Sequence, residues 1–186
     1  MSRLRKSVLI SPEEYLEGEK HSEIKHEYVA GHVYAMMETS GAHNLIAGNL
    51  YTALRSHLRG GPCRVFFADL KVQIQRAQAF YYPDIVVSCD PTDSLPSSYC
   101  IANPKLIVEV LSSSTERIDR EEKLYNYQML ESLQEYILVA QERMEIQIYR
   151  RTEQGWDMEI GLQGEQIRFI SLGLGIPIES IYEEVW

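Results

Sequence analysis

Two carboxylates stand in this sequence where an apolar strand would ordinarily carry none. Glu109 lies inside the apolar run 106–111, and Asp84 follows Pro83 and directly precedes the apolar residues 85–87. A buried ionised carboxylate is costly without a partner, so each acid needs solvent or a positive charge. Close carboxylates repel each other and become stable when a divalent cation lies between them. Asp84 and Glu109 are therefore candidate metal ligands.

A lysine on the following predicted helix could complete this chemistry. The segment 115–132 has helical periodicity, and Asp119, Lys123 and Tyr127 share one stripe of it at positions i, i+4 and i+8. If this helix packs back over the sheet, the ammonium group of Lys123 could approach the two acids. There it could orient or deprotonate a water molecule, or stabilise negative charge on a phosphate. The pattern predicts a catalytic site built from the two acids and this lysine.

Each of these residues also has a simpler interpretation. A Pro-Asp pair before a strand is common turn chemistry, which would account for Asp84. Lys123 could pair with Asp119 on a solvated helix face, an interaction worth a few tenths of a kcal/mol. Tyr127 could be a packing residue. The residue types alone leave these alternatives open.

The surrounding elements indicate a mixed α/β (α+β) fold. Two long helices are predicted at 41–61 and 115–132, and shorter ones at 11–20 and in the tail 175–186. Strand patterns occupy 26–37 (two segments around a turn), 63–75, 80–88, 105–112, 135–140, 144–151, 155–162 and 166–172. This order predicts a central mixed sheet packed by two main helices. The 186 residues suit a single domain, 1–186.

Charge and composition narrow the possible functions. The formal net charge is −9, which argues against strong, stand-alone binding to nucleic acid through a basic surface. No apolar run approaches the roughly 18 residues that span a bilayer. The N-terminus has a basic start but only a short apolar stretch at 8–10, so it does not read as a signal peptide.

The cysteine content predicts a reduced protein. The chain has three cysteines, Cys63, Cys89 and Cys100, with no CxxC pair and no histidine at ligand spacing. An odd count without these patterns argues against a disulfide framework or a zinc site. The cysteines are therefore expected to be free, and the protein to be cytoplasmic.

The motifs resemble those of a known family. "PDIVV" at 83–87 followed by "LIVEVLS" at 106–112 resembles the PD-(D/E)xK motif of the restriction-endonuclease-like superfamily. Three longer stretches are similar to the Uma-two (Uma2) family of endonuclease-like proteins: "HEYVAGHVYAMMETSGAHNLIAGNL", "SSSTERIDREEKLYNYQMLESLQEYILV" and "ISLGLGIPIESIY". The resemblance extends over nearly the whole chain and implies a restriction-endonuclease-like core.

The resemblance also implies roles for individual residues. Asp84 and Glu109 would ligate Mg²⁺ or Mn²⁺ with the backbone carbonyl of Val110. The plain motif places its lysine where this chain has Leu111, so the resemblance implies a migrated lysine, which corresponds to Lys123.

Three further side chains are expected at the periphery of this site. Glu27 and His43 match recurrent family positions, Glu27 as an additional acid near the metal and His43 as a phosphate or water contact. Tyr127, on the stripe of Lys123, could reach the edge of the site.

The expected function is hydrolysis of phosphodiester bonds in nucleic acid, with DNA as the expected substrate, by a divalent-metal-dependent endonuclease acting as a homodimer. An alternative is an inactive nuclease-fold module that binds nucleic acid or another partner, favoured by the net charge and by Leu111. A metal-dependent hydrolase of another phosphate ester is a third possibility.

Overall fold

The computed structural model describes residues 9–37, 39–95 and 97–186. The basic start of the chain, residues 1–8, lies outside this range, so the expectation about a signal peptide concerns residues that are not described. Within the described ranges, no helix is both long enough and apolar enough to cross a membrane.

The elements follow the chain in a mixed order. The strands are β1 (His26–Val29), β2 (His32–Ala35), β3 (Arg64–Phe67), β4 (Lys71–Ile74), β5 (Ala79–Tyr81), β6 (Ile85–Ser88), β7 (Cys100–Ile101), β8 (Pro104–Leu111), β9 (Glu135–Ala140), β10 (Glu145–Thr152), β11 (Gly155–Leu162), β12 (Gln166–Phe169) and β13 (Leu174–Pro177). The helices are α1 (Pro12–Glu19), α2 (Gly41–His57), α3 (Glu116–Ile118), α4 (Leu124–Tyr127) and α5 (Ile178–Ile181). A π-helical turn (Asp119–Lys123) joins α3 to α4, and short 3₁₀ turns occupy Gln75–Ala77, Pro91–Ser94 and Ile170–Leu172.

A six-stranded mixed sheet forms the centre of the fold, in the order β11-β10-β9-β8-β6-β3. β8 and β9 run parallel, and β6 pairs with β8 in the antiparallel sense. Ile85 lies opposite Val108, so the register extended by one residue brings Asp84 opposite Glu109. The two strands that carry the predicted acids are neighbours in this sheet.

The two faces of the sheet contact different layers. Alternate side chains of a strand point to opposite faces. Val108 and Val110 belong to a core that includes Leu50 and Leu54 of α2. Ile107 and Leu111 belong to a second core, which contains Tyr127 and residues of β4 and β5. Glu109 lies on the same face of the sheet as this second core. The helix 116–127, which is made up of α3, the π-helical turn and α4, packs on that face.

A five-stranded sheet, in the order β2-β1-β5-β4-β7, covers the side of the molecule next to that second core. The sequence predicted one strand over 80–88, but β5 ends at Tyr81 in this sheet and β6 begins at Ile85 in the central one. The chain changes sheets at Tyr82, Pro83 and Asp84. Pro83 has no N–H for a ladder, which suits a crossing point. Asp84 consequently lies where the two sheets meet.

Helix boundaries follow local capping chemistry. Ser11 and Glu14 form a capping box at the start of α1, with Pro12 in the first turn. Ser40 caps α2 by accepting a hydrogen bond from the backbone N–H of His43. The helix predicted at 115–132 is shorter, covering 116–127.

The tail also differs from its predicted helix. Its first part is strand β13, which pairs with β12 as an antiparallel hairpin, and only the four residues of α5 are helical.

The prediction that the cysteines are free is wrong for two of them. Cys63 precedes β3 and Cys89 follows β6, and the structure joins them in a disulfide with a Cα–Cα distance of 3.9 Å. The pairing of Arg64 with Ser88 brings the two cysteines opposite each other, a register that a cysteine count does not reveal. Cys100 is a free cysteine. The cysteine-based argument for a cytoplasmic protein is thereby removed.

Candidate active site

All of the predicted residues except Tyr127 line a cleft of about 150 Å³ between the central sheet, the hairpin β1–β2, the start of α2 and the helix 116–127. The acidic and basic side chains that line it come from five separate parts of the chain: Glu27, His43, Asp84, Glu109, Asp119 and Lys123. Residues this far apart in sequence meet only because the two sheets and the helix pack together.

Glu109 is held by two donors from the helix above it. The ammonium Nζ of Lys123 and the hydroxyl of Tyr127 each lie 3.1 Å from its Oε1 atom. The side chain of Glu109 is only 5% exposed. Tyr127 is fully buried, so it contacts the carboxylate from the protein interior rather than from the edge of the site.

Lys123 lies at the centre of three carboxylates. Its Nζ atom is 3.0 Å from Glu27 Oε1, 3.1 Å from Glu109 Oε1 and 3.1 Å from Asp119 Oδ1. Asp119 and Lys123 begin and end the π-helical turn, which re-aims side chains relative to a regular helix and is frequent at functional sites. Glu27 is fixed in turn by the backbone N–H of Tyr82, which donates to its Oε1 at 3.1 Å.

Asp84 is oriented by the neighbouring strand and by α2. The backbone N–H of Val110 donates to Asp84 Oδ2 at 2.7 Å, and His43 Nε2 lies 3.2 Å from the same oxygen. Burial acts to lower the pKa of His43, but the hydrogen bond to Asp84 and its negative charge outweigh burial, so the pKa is raised. His43 therefore tends toward the charged form, paired with Asp84.

The pair formed by Glu109 and Lys123 has shifted pKa values, because it is buried among other acids. Burial raises the pKa of Glu109 well above its usual value, and the Lys123 ammonium opposes that rise. The carboxylates of Asp119, Asp84 and Glu27 raise it further. Burial lowers the pKa of Lys123, but the surrounding carboxylates outweigh burial and hold it well above its usual range. Lys123 therefore carries a positive charge, while the negative charges of the other acids oppose the ionisation of Glu109.

The donor set suits one additional cation. Three carboxylates contact Lys123 and a fourth, Asp84, pairs with His43, so the acids outnumber the basic groups and leave an excess of negative charge. The donors described for Asp84 and for Glu109 all engage one oxygen of each, Oδ2 and Oε1. The second oxygen of each carboxylate is therefore available for a metal ion. Asp119 Oδ1 is buried and receives no well-aligned hydrogen bond within the described parts of the chain, although Lys123 Nζ lies 3.1 Å away.

No ready-made cage of three acidic, histidine or cysteine side chains is found across residues 9–37, 39–95 and 97–186. The geometry explains this, because the Lys123 ammonium occupies the centre of Glu27, Glu109 and Asp119. A cation would thus use few protein ligands, as Mg²⁺ commonly does when it binds one or two carboxylates and keeps several waters.

The structure brings all of the predicted side chains together: Asp84, Glu109, Lys123, Glu27, His43 and Tyr127. Val110 contributes its N–H to Asp84, while the role of its carbonyl as a ligand stays a prediction. Sequence reasoning did not select Asp119 as a site residue, although its i, i+4 spacing to Lys123 was the available signal. Leu111, where the plain motif has lysine, is buried in the second core.

Comparison with known proteins agrees with the resemblance seen in the sequence. The sequence model of the Uma2 family, described as "Putative restriction endonuclease", matches residues 12–179. "Uncharacterized protein slr1290" of Synechocystis sp. is 39% identical over 174 residues, covering 93% of this chain and 91% of that protein. "Uncharacterized protein sll1609" of the same organism is 28% identical over 144 residues, covering 77% of this chain and 81% of that protein.

A solved structure shares the fold. It is described as a putative nuclease belonging to DUF820 from Anabaena variabilis, and it superimposes with a TM-score of 0.80 at 16% identity. The match covers 95% of this chain and 99% of that one. At this identity the likeness concerns the fold, and it confirms the predicted mixed α/β, restriction-endonuclease-like architecture.

Proposed function

Because this chain belongs to the Uma2 family of restriction-endonuclease-like proteins, we propose that it is a divalent-metal-dependent nuclease that hydrolyses phosphodiester bonds, with DNA as its substrate. The observation that carries the proposal is the convergence of Asp84, Glu109 and Lys123 in one cleft. Function belongs to sites rather than folds, so the proposal rests on this constellation.

The proposed metal ligands are Asp84 and Glu109, with the carbonyl of Val110. A bound Mg²⁺ or Mn²⁺ would supply Lewis-acid activation of water and offset charge on the phosphate. The excess of carboxylates and the available oxygens of both acids support this assignment. The protein's own contribution is positioning: Val110 N–H and His43 orient Asp84, and Tyr127 orients Glu109.

Lys123 has a separate proposed role. Its ammonium lies against Glu109 and would stabilise negative charge that develops on a phosphate entering the cleft. The contacts to Glu27 and Asp119 hold it in place, so these acids would act through the lysine.

Cleavage assays with matched variants test the proposal. Wild-type protein is incubated with single-stranded and duplex DNA and RNA in Mg²⁺, Mn²⁺ or EDTA, beside Asp84→Asn and Glu109→Gln. The exposed acids Asp157 and Glu153 provide the controls Asp157→Asn and Glu153→Gln. We expect metal-dependent cleavage by the wild type and both controls, and a loss of at least about 100-fold in the site variants, because metal activation supplies several kcal/mol.

Two results would count against a nuclease. If no nucleic acid is cut, or if the site variants cut as fast as the controls, the site is not catalytic. An inactive binding module is then the better hypothesis. Metal-dependent cleavage of a small phosphodiester such as bis(p-nitrophenyl) phosphate without cleavage of any polynucleotide would instead indicate a hydrolase of another phosphate ester.

A further inference from the structure

The rim of the cleft is apolar although its floor is acidic. Tyr34, Met36 and Met37 on one side are 54%, 39% and 67% exposed, and Ile118 on the other is 42% exposed. All four line the same cleft as the carboxylates. Exposed apolar side chains are ordinary when scattered, but a group gathered around one opening marks a binding surface.

Tyr34 is placed by the hairpin β1–β2. It lies directly opposite Glu27 in the antiparallel register, and residues opposite each other project from the same face of a sheet. Its ring therefore stands beside the carboxylate that contacts Lys123. Met36 lies two residues further on, and its N–H donates to the Lys25 carbonyl at 2.9 Å, which prolongs the hairpin pairing past β2.

A groove lined by Lys25, Phe67 and Asp69 adjoins the cleft and shares His43 and Asp84 with it. The basic side chains of the cleft and of this groove are already paired. Among the described residues that line them, these are Lys25, His43 and Lys123. Lys25 contacts Asp69, His43 contacts Asp84, and Lys123 contacts its three carboxylates. Duplex DNA is bound mainly through cations that meet its phosphates. Proteins that bind unpaired strands combine a positively charged groove with aromatic side chains on which bases stack, and the stacking is the part that this cleft can supply.

We propose that the cleft binds single-stranded nucleic acid, with one base stacked on Tyr34 between Met36 and Ile118. This inference rests on the proposed nuclease function, since it places the adjoining phosphate over the acidic floor. The cleft of about 150 Å³ is smaller than the roughly 300–1,000 Å³ of pockets that enclose a whole ligand. It therefore takes in only part of one nucleotide, while the rest of the strand stays outside.

Binding is measured separately from cleavage. Fluorescence anisotropy compares a labelled single strand with the duplex of the same sequence, in EDTA and in Ca²⁺, for the wild type, Tyr34→Ala and Tyr34→Phe. Tyr125→Ala is the matched control, because Tyr125 is 67% exposed but does not line the cleft. We expect the single strand to bind at least about tenfold tighter than the duplex.

Stacking predicts a graded response of the variants. Tyr34→Ala should weaken single-strand binding about five- to hundredfold, the effect of losing one stacked base. Tyr34→Phe should retain wild-type binding within about twofold, and Tyr125→Ala should have no effect. Melting curves establish that each variant is folded.

Several outcomes overturn the inference: no single-strand binding, equal or tighter duplex binding, or an unchanged affinity in Tyr34→Ala. A dimer in size-exclusion chromatography that Tyr34→Ala converts to a monomer also overturns it, because the rim is then an interface between copies of the chain. Single-strand binding that needs Tyr34, without cleavage of any substrate, would support this inference and contradict the nuclease proposal. Cleavage that prefers duplex would support the nuclease proposal and contradict this inference.

Discussion

Glu109 lies between Val108 and Val110 on the buried strand β8, and its carboxylate receives hydrogen bonds from Lys123 and Tyr127. These contacts offset only part of the cost of burial, because Asp119, Asp84 and Glu27 raise the pKa of the same group. At the scale of single residues, the site is an assembly of acids held together by one lysine.

The first prediction concerns the stability of the variant Glu109→Gln, which is measured without an activity assay. In EDTA we expect its unfolding midpoint to equal or exceed that of the wild type, because the amide oxygen can still accept both hydrogen bonds while one repelling charge is removed. Saturating Mn²⁺ should stabilise the wild type by about 2.7 kcal/mol at 100 times Kd, and should leave the variant unchanged. Thermal unfolding with and without Mn²⁺ measures both effects.

Glu153→Gln serves as the control and should respond to Mn²⁺ as the wild type does, since Glu153 is exposed on a turn. A strong destabilisation of Glu109→Gln in EDTA would show that the buried charge is needed for folding rather than for a cation.

The second prediction concerns Lys123→Met. Removing the ammonium leaves Glu27, Glu109 and Asp119 without the cation they share. Breaking a buried charge network from one side typically costs about 3–5 kcal/mol, so urea unfolding should detect a loss of this size. The double variant Lys123→Met/Asp119→Asn should recover part of it. A single variant within about 1 kcal/mol of the wild type would contradict the arrangement.

At the scale of elements, two attachments stabilise the central sheet that carries the site, one at β6 and one at β9. The edge strand β3 is joined to β6 by the Cys63–Cys89 disulfide, and Asp84 comes directly before β6. The hairpin β12–β13 is attached to β9 by the buried carboxylate of Glu135, which accepts hydrogen bonds from the N–H groups of Ile170 and Ser171 at 3.0 Å each.

The third prediction concerns the disulfide. The unreduced, denatured protein should contain one free thiol, Cys100, and the reduced protein three, as titrated with Ellman's reagent. Because the bond closes a segment with a sequence separation of 26, Cys63→Ser should lower the unfolding free energy by about 2–4 kcal/mol. Cys100→Ser is the control. Three free thiols before reduction would refute the pairing.

The fourth prediction concerns Glu135→Gln. The amide cannot accept every hydrogen bond that the carboxylate accepts, and Arg150, 3.0 Å from Glu135, loses a buried partner. We expect a loss of about 2–5 kcal/mol and faster amide exchange at Ile170 and Ser171. Glu159→Gln is a suitable control, because Glu159 pairs with the same arginine but is 62% exposed. Equal effects of the two variants would argue against this attachment.

At the scale of the whole molecule, the net charge of −9 separates two modes of nucleic-acid binding. The site itself is acidic, and the basic residues described around it are paired with carboxylates. A strand that enters this cleft cannot depend on many phosphate contacts with free cations. The predictions of a single domain and of a homodimer stay predictions at this scale.

The fifth prediction is therefore a weak salt dependence. Each neutralised phosphate contributes about 0.7 to the slope of log K against log salt for a single strand, and about 0.9 for a duplex. We expect a slope no steeper than about −2 for single-stranded DNA, from anisotropy titrations between 50 and 200 mM NaCl. A slope near −6 would reveal an extended basic surface and would favour duplex binding.

The sequence was informative where local chemistry decides structure. The start of α1 at Pro12, the apolar strand β8 and the two acids beside apolar runs follow from residue type and spacing. The family resemblance is confirmed by the match over residues 12–179. Elements whose state depends on long-range pairing were harder to predict, as β13 in the tail illustrates, because its pattern differs little from that of a short helix.

What the sequence determined by itself was the set of chemically unusual residues: two acids beside apolar runs and a lysine on the next helix. Only the tertiary structure decided their surroundings. It placed Glu27 against Lys123, joined Cys63 to Cys89 and set Tyr34 opposite Glu27. The physical reason is that burial, charge and register between distant segments arise from packing, whereas residue type and periodicity are local properties of the chain.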